Sequence, residues 1–298
     1  MTLREALTSA TRQLDASPGL RADAARAAAL LLRHVLAISH AEQLADSERA
    51  LTPAQQSAYD ALISRRLANE PIQYITGEQE FYGLILRVTP AILIPRPETE
   101  QLVEAVLNEF VCHPAAQRRD LLLSSSQHLP LRILDVGTGS GAIAIALAFH
   151  LPHAQITAVD LSAAALEVAA ANTARHALAG RIRYLKSDLL DAFPPDEAPF
   201  AAIVSNPPYV PAVDRASLHP QVRDHEPAAA LFAGPDGLDI YRRLIPQARA
   251  ALQPNGLLAL EIGHNQREAI ASLLSDWNQL RFLDDLQHIP RIALARKP

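Results

Sequence analysis

The stretch Leu131-Arg132-Ile133-Leu134-Asp135-Val136-Gly137-Thr138-Gly139-Ser140-Gly141-Ala142 decides the fold. Leu131 to Val136 is an apolar run of strand length. Gly137 to Gly141 cannot continue it, and Ala142 to Leu151 then reads as a helix. The alternation repeats downstream. Gln155 to Val159 is a second strand, ending at Asp160, and Ser162 caps a helix that runs to about Ala177. Arg181 to Lys186 is a third strand, followed by Ser187-Asp188-Leu189, and Phe200 to Val204 is a fourth. Asp236 to Leu252 reads as a helix stopped by Pro254-Asn255-Gly256. A strand over Leu257 to Ile262 and a helix from Asn265 to about Leu274 follow. Two last strands, around Phe282 and over Ile289 to Ala295, form a closing hairpin. Strand–helix alternation of this kind implies a parallel sheet with crossover helices.

The polar residues of this region gather at strand ends. Glycines 137, 139 and 141, with Thr138 and Ser140 between them, let the backbone pass close to a ligand at the carboxyl edge of the sheet. Asp160 ends the second strand, where a carboxylate can take both hydroxyls of a ribose. Asp188 follows the third, placed to meet an adenine edge. With Ala142 the glycines also satisfy a dinucleotide-binding pattern, so a dehydrogenase fits this loop taken alone. Two features oppose that reading. Asp135 lies just before the glycines, where it can meet the ammonium of a methionine moiety. The fourth strand runs into Asn206-Pro207-Pro208-Tyr209, for which a dinucleotide enzyme has no evident use.

Two prolines remove two backbone donors and hold the residues before them extended, so this tetrapeptide is stiff. It offers the Asn206 side-chain oxygen and the Pro207 carbonyl as acceptors for a planar group bearing an NH2, and the Tyr209 ring as a stacking face. A plain turn after a strand is the structural alternative. Together the two motifs point to S-adenosylmethionine as cofactor, with the methyl acceptor held by the tetrapeptide.

Upstream, residues 1–70 read as a small helical bundle, with Thr52-Pro53 as one clear helix start. Residues 71–95 suggest a β-hairpin linker around Gly77 and Gly83, its second strand over Leu84 to Val88. Residues 96–298 form the sheet domain, entered through a helix that begins near Pro97, with Glu98 and Glu100 read as ordinary acidic residues of a first turn. Cys112 to Pro130 reads as a surface connection. The length of 298 residues suits about two domains. The net charge of -5 argues against a broad basic surface for nucleic acid. The single cysteine, Cys112, excludes a disulfide framework and is read as a buried or incidental thiol. Met1 to Ala6 lacks the apolar core of a secretion signal, the scattered histidines show no metal spacing, and no apolar run is long enough for a bilayer. A soluble cytoplasmic protein is expected, with no metal and no membrane association; nothing demands an oligomer, so a monomer is expected.

Across almost its whole length the chain resembles the glutamine-N5 methyltransferases that modify bacterial peptide chain release factors. The resemblance rests on Pro71-Ile72-Gln73-Tyr74-Ile75-Thr76-Gly77, Ile94-Pro95-Arg96-Pro97-Glu98-Thr99-Glu100, the Asp135 to Gly141 loop, Asn206 to Tyr209, and Leu260-Glu261-Ile262-Gly263. It implies a Rossmann-like class I S-adenosylmethionine methyltransferase sheet with a small all-helical amino-terminal domain. It implies as substrate the glutamine of the Gly-Gly-Gln motif in release factors 1 and 2, with S-adenosylhomocysteine as product. By the family pattern Gly137 to Gly141, Asp160, Leu189 and Asn206 contact the cofactor, and Asn206, Pro207, Pro208 and Tyr209 the glutamine. Nothing in the amino-terminal helices looks catalytic, so they read as a substrate-docking domain, with a packing-only domain as the alternative. Some relatives carry a bulky aromatic where Leu189 stands, so stacking on adenine is lost here. Asn-Pro-Pro-Tyr is shared with adenine-N6 methyltransferases of nucleic acids, and sister enzymes modify a ribosomal-protein glutamine. A protein that keeps S-adenosylmethionine only as a ligand is the non-enzymatic alternative.

Overall fold

The computed structural model describes residues 1–111, 131–194 and 196–298. The expected surface connection at 112–130, Cys112 included, lies outside them. The chain divides into two compact units: Met1–Glu78 with Ala216–Glu226, and Gln79–Arg215 with Pro227–Pro298.

The first unit is helical. It contains α1 (Leu3–Asp15), α2 (Ala24–Leu36), α3 (His40–Ala45), α4 (Pro53–Leu67) and α5 (Ile72–Thr76). Thr2 and Thr52 close capping boxes with Glu5 and Gln55, and Pro53 sits in the first turn of α4 where its missing N–H costs nothing. Leu3, Leu14, Leu31, Leu32, Tyr59 and Ile63 make the core. The Tyr59 hydroxyl, fully enclosed there, donates to the Ala28 carbonyl at 2.9 Å. The expected boundary at residue 70 moves to Glu78, because α5 turns Ile72 and Ile75 into this same core. A later segment joins the unit: ring nitrogens of His219 and His225 meet the carbonyl oxygens of Gly19 and Ala68 at 3.0 and 3.1 Å. The short helix α3 starts on a capping box, in which the Ser39 side chain accepts the Glu42 amide and the Glu42 side chain accepts the Ser39 amide.

A hairpin follows, β1 (Glu78–Phe81), whose residues from Gln79 on belong to the second unit, and β2 (Leu84–Arg87), and then α6 (Pro97–Val111). The sheet follows: β3 (Leu131–Val136), α7 (Ala142–His150), β4 (Ala154–Asp160), α8 (Ala163–Arg175), β5 (Ile182–Lys186) and β6 (Phe200–Ser205). After the short α9 (Pro220–Arg223), which lies in the first unit, come α10 (Asp239–Ala251), β7 (Leu252–Glu261), α11 (Arg267–Leu273), β8 (Asn278–Asp284) and β9 (Pro290–Arg296). The seven strands lie in the order β5-β4-β3-β6-β7-β9-β8. β3 to β7 are parallel, and β9 and β8 close the sheet as an antiparallel pair. Every residue of β6 is buried, as a central parallel strand covered on both faces requires. Ile133, Ala202, Val204 and Ala259 face α6 and α7; Leu134, Ile203, Leu258 and Leu260 face Tyr241, Leu244 and Trp277 on the other side. The period of two across each strand produces these two cores.

The chain winds outward from β3 through β4 to β5, then returns to the other side of β3 for β6. That reversal is a topological switch point, and ligands of such sheets bind at the carboxyl ends of the strands on either side of it. Among the described residues no helix is long and apolar enough to cross a membrane.

Candidate active site

Register places the site. Val136, the last residue of β3, pairs with Val159 on one side and Ser205 on the other. The glycine loop therefore emerges between Asp160 and Asn206. The amides of Gly137 and Thr138 donate to the Val159 carbonyl at 2.9 and 3.0 Å, which starts the turn. Asp160 fixes its middle: one carboxylate oxygen accepts the Gly139 amide at 2.9 Å and the other the Ser162 amide at 2.8 Å. A carboxylate has about four acceptor positions, so this half-buried group keeps capacity for a diol. Gly139 has a φ of 55°, and a Cβ built there meets nothing within 4 Å, so the loop borders open space at that point.

Asp135 is fully buried. The Thr138 hydroxyl donates to one of its oxygens at 2.6 Å, and its Oδ1 has no hydrogen-bond partner among the described residues. Burial drives this carboxyl up to about 7, against the pull of the Thr138 hydroxyl and the Ala144 amide, with the Asp160 charge adding to the rise. An orphaned buried acceptor beside a glycine loop that borders open space, with a further carboxylate at the neighbouring strand end, fits a cationic, ribose-bearing cofactor such as S-adenosylmethionine.

The tetrapeptide leaves β6 next to the loop: a Cβ on Gly137 would stand 4.0 Å from the Asn206 carbonyl oxygen. The Pro207 carbonyl carries no hydrogen bond among the described residues. Asn206 Nδ2 donates to Thr99 Oγ1 at 3.0 Å. Thr99 donates in turn to Glu261 Oε2 at 2.6 Å, and the Tyr209 hydroxyl donates to Glu261 Oε1 at 3.3 Å. Glu261 is buried, and burial raises its carboxyl to about 7 against the Thr99 and Tyr209 hydrogen bonds. Burial, with the Glu261 charge next, pushes the Tyr209 hydroxyl well above its ordinary range. Gln266 clamps the Tyr209 backbone: its Nε2 donates to the Tyr209 and Gly237 carbonyls at 3.0 and 3.3 Å, while its Oε1 accepts the Gly263 amide at 2.9 Å. The Tyr209 ring, expected as a free stacking face, is half-buried and packs against the second core cluster.

Two expected cofactor residues sit on the loop after β5. The Asp188 carboxylate, expected at an adenine edge, pairs with Arg243 of α10 at 2.8 Å. Leu189 has a φ of 49°, a left-handed backbone uncommon for a non-glycine residue, and packs partly buried against the second core. Gln247 on the same helix holds this loop by accepting the Leu190 amide at 3.0 Å. Asn172 carries no motif in the sequence. Fully buried, its Nδ2 donates to the Ser140 carbonyl at 2.9 Å and to the Arg87 carbonyl at 3.0 Å, tying the glycine loop to β2. Thr99 stands in the Ile94 to Glu100 motif and Glu261 in the Leu260 to Gly263 motif, and neither is given a role by the sequence alone. A threonine in a first helical turn and a glutamate ending an apolar strand are the available signals.

Comparison with known proteins bears on this geometry. The family described as PrmC N-terminal domain matches residues 5–77, and the one described as Methyltransferase small domain matches 118–219. A release factor glutamine methyltransferase of Koribacter versatilis is 42% identical over 302 residues, covering 100% of this chain and 99% of its own. One of Moorella thermoacetica is 44% identical over 277 residues, covering 92% and 89%. Among solved structures, the hMettl16 catalytic domain in complex with the MAT2A 3'UTR hairpin 1 superposes with a TM-score of 0.54 at 16% identity, over 83% of this chain and 81% of that one. The T. thermophilus 16S rRNA N2 G1207 methyltransferase in complex with AdoMet and guanosine gives 0.50 at 20% identity, over 74% and 50%. At those identities the two structures show the fold alone. Full-length identity at this level settles membership: the chain belongs to the release factor glutamine methyltransferase family and is an S-adenosylmethionine-dependent methyltransferase.

Proposed function

We propose that the protein methylates the side-chain amide N5 of the glutamine in the Gly-Gly-Gln motif of release factors 1 and 2, with S-adenosylhomocysteine as the second product. The observation that carries this reading is the adjacency of the glycine loop and the Asn206 carbonyl across the β3–β6 pair. The relatives' shared name supports the substrate class.

Gly137 to Gly141 and Asp160 would hold the cofactor, with Asp135 Oδ1 the buried acceptor nearest in the chain for an ammonium group, and Asp188 and Leu189 flanking the adenine. Bound there, S-adenosylmethionine supplies an electrophilic methyl group on a sulfonium. An amide nitrogen is a poor nucleophile because its lone pair is delocalised into the carbonyl. Asn206 Oδ1 and the Pro207 carbonyl accept hydrogen bonds from the substrate NH2, which aims that lone pair and favours a pyramidal nitrogen. Pro208 keeps the segment extended, and Tyr209 flanks the amide plane. Such placement is worth about 7–11 kcal/mol in favourable cases. The methylated nitrogen is strongly acidic, so its proton leaves to water without a tuned base.

The helical unit, Met1–Glu78 with Ala216–Glu226, docks the release factor. The protein works as a monomer in the cytoplasm, where release factors act, and the net charge of -5 supports the absence of stable nucleic-acid binding. Transfer of labelled methyl to purified release factor tests the reading, against the same factor with the motif glutamine replaced, and with DNA and ribosomal protein in parallel. Label on the intact factor alone is expected, and Asn206→Ala abolishes it while keeping cofactor binding. Label only on DNA or ribosomal protein refutes the substrate.

A further inference from the structure

We propose that Glu261 and Thr99 form a proton-ordered relay that fixes which atom of the Asn206 amide faces the methyl acceptor, making both of them positioning residues for transfer. The inference rests on the acceptor role given to Asn206 above.

A carboxamide has a donor end and an acceptor end of nearly the same shape, and only the oxygen end can accept from a substrate NH2. Something must keep the amide from turning over. An ionised carboxylate accepts and cannot donate. Glu261 Oε2 therefore takes the single proton of the Thr99 hydroxyl, at 2.6 Å. The Thr99 oxygen is left only with acceptor capacity, and Asn206 Nδ2 fills it at 3.0 Å. The NH2 end is tethered inward and Oδ1 is the end left for the acceptor. The Tyr209 hydroxyl gives its proton to the other Glu261 oxygen at 3.3 Å. One carboxylate thus orders both ends of the tetrapeptide. It sits one residue beyond the Ser205–Leu260 pair of β6 and β7, level with Asn206.

Packing alone has no need of a carboxylate at a fully enclosed position, and an apolar side chain of similar volume would avoid the desolvation cost. The groups around it set when it is charged. Glu98 of α6 opposes ionisation and Arg291 of β9 favours it. Tyr209 donates to the carboxylate, and Tyr241 of α10 donates to the Glu261 backbone carbonyl at 2.7 Å. Burial outweighs them and raises the group to about 7. A protonated Glu261 can itself donate to Thr99. The Thr99 hydroxyl is then free to donate to Asn206 Oδ1, which inverts the amide.

The test uses Thr99→Val, Thr99→Ser and Glu261→Gln in the full-length enzyme. Thr99→Val is expected to lower kcat about 10²-fold, the loss that goes with misplaced reacting groups, while the cofactor Kd and the release-factor KM stay within about twofold. Thr99→Ser keeps the hydroxyl and most of the turnover. Wild-type kcat rises with pH through about 7, and Glu261→Gln removes that limb. Full turnover in Thr99→Val, or an acid limb that persists in Glu261→Gln, overturns the relay. A second readout needs no acceptor: the side-chain NH2 resonances of Asn206 in 15N-asparagine-labelled protein. They are expected to shift with pH in the wild type and to stay flat in Glu261→Gln. Flat wild-type resonances overturn the relay whatever the substrate; shifting resonances with no label on any release factor support the relay and overturn the substrate assignment alone.

Discussion

Replacing Glu261 by glutamine should flatten the pH dependence of stability of the methyltransferase unit, and the size of the effect follows from burial. The carboxyl is raised from an ordinary 4.5 to about 7 because it is fully enclosed. A group with a raised folded pKa binds its proton more tightly in the native chain than in the unfolded one. Its stabilising contribution is complete below about 4.5 and is lost as pH rises through about 7. At about 1.4 kcal/mol per pH unit, the wild type loses about 2.5 kcal/mol from this group between about pH 5 and about pH 8. Glutamine does not titrate, so the variant gains that much on the wild type across the interval. Any constant effect of the new NH2 beside Thr99 and Tyr209 cancels in the difference. Trp277 is the only tryptophan in the chain and is buried in the same unit, so urea unfolding followed by its fluorescence reads the right element. An identical wild-type-to-variant difference at both pH values would refute the raised carboxyl, and with it the charge state on which the Asn206 orientation depends. The activity and stability of this unit then respond to pH in opposite directions, a common pattern where a buried charge is kept for function.

Three further outcomes test the site. Asp160→Ala removes an acceptor of two loop amides and of the proposed ribose, so the cofactor Kd should rise about 10- to 100-fold with kcat at saturation little changed; isothermal titration giving an unchanged Kd contradicts the ribose role. Gly139→Ala and Gly141→Ala should separate, since both have positive φ but only Gly141 is crowded, its Cβ falling 3.0 Å from Ile145 and 3.1 Å from the Tyr184 hydroxyl. The former is expected to lose about 1–2 kcal/mol of stability and most cofactor affinity, the latter distinctly more stability; equal denaturation midpoints would count against this. Gly237→Ala places a Cβ into the Tyr209 carbonyl and against Gln266, so kcat should fall about 10²-fold with cofactor binding kept; steady-state kinetics showing normal kcat would mean the Gln266 clamp does not matter.

The features that could be read early are those written in neighbouring residues. Thr52-Pro53 announces a helix start because a cap and its first turn are three residues apart, and the structure begins α4 there. The glycine loop and Asn206 to Tyr209 mark strand ends because glycine permits left-handed backbone and proline removes a ladder donor, whatever surrounds them. The alternation of strand and helix pointed to the parallel sheet, since short apolar runs bounded by turn residues alternate with longer helical segments. Pairings between distant residues were decided by the tertiary structure alone. Thr99 reaches Glu261 across 162 positions and Asn206 across 107, and Asn172 reaches Arg87 across 85. Asp188 turned to Arg243 because α10 packs beside the β5–β6 loop, a neighbour no local pattern declares. The helical core extended through Ile72 and Ile75 and drew in Ala216–Glu226 for the same reason. Sequence by itself determined which backbone could turn and where a ligand edge would form. Only the folded chain decided which buried carboxylate would face which hydroxyl, because that choice depends on burial and register summed over the whole sheet.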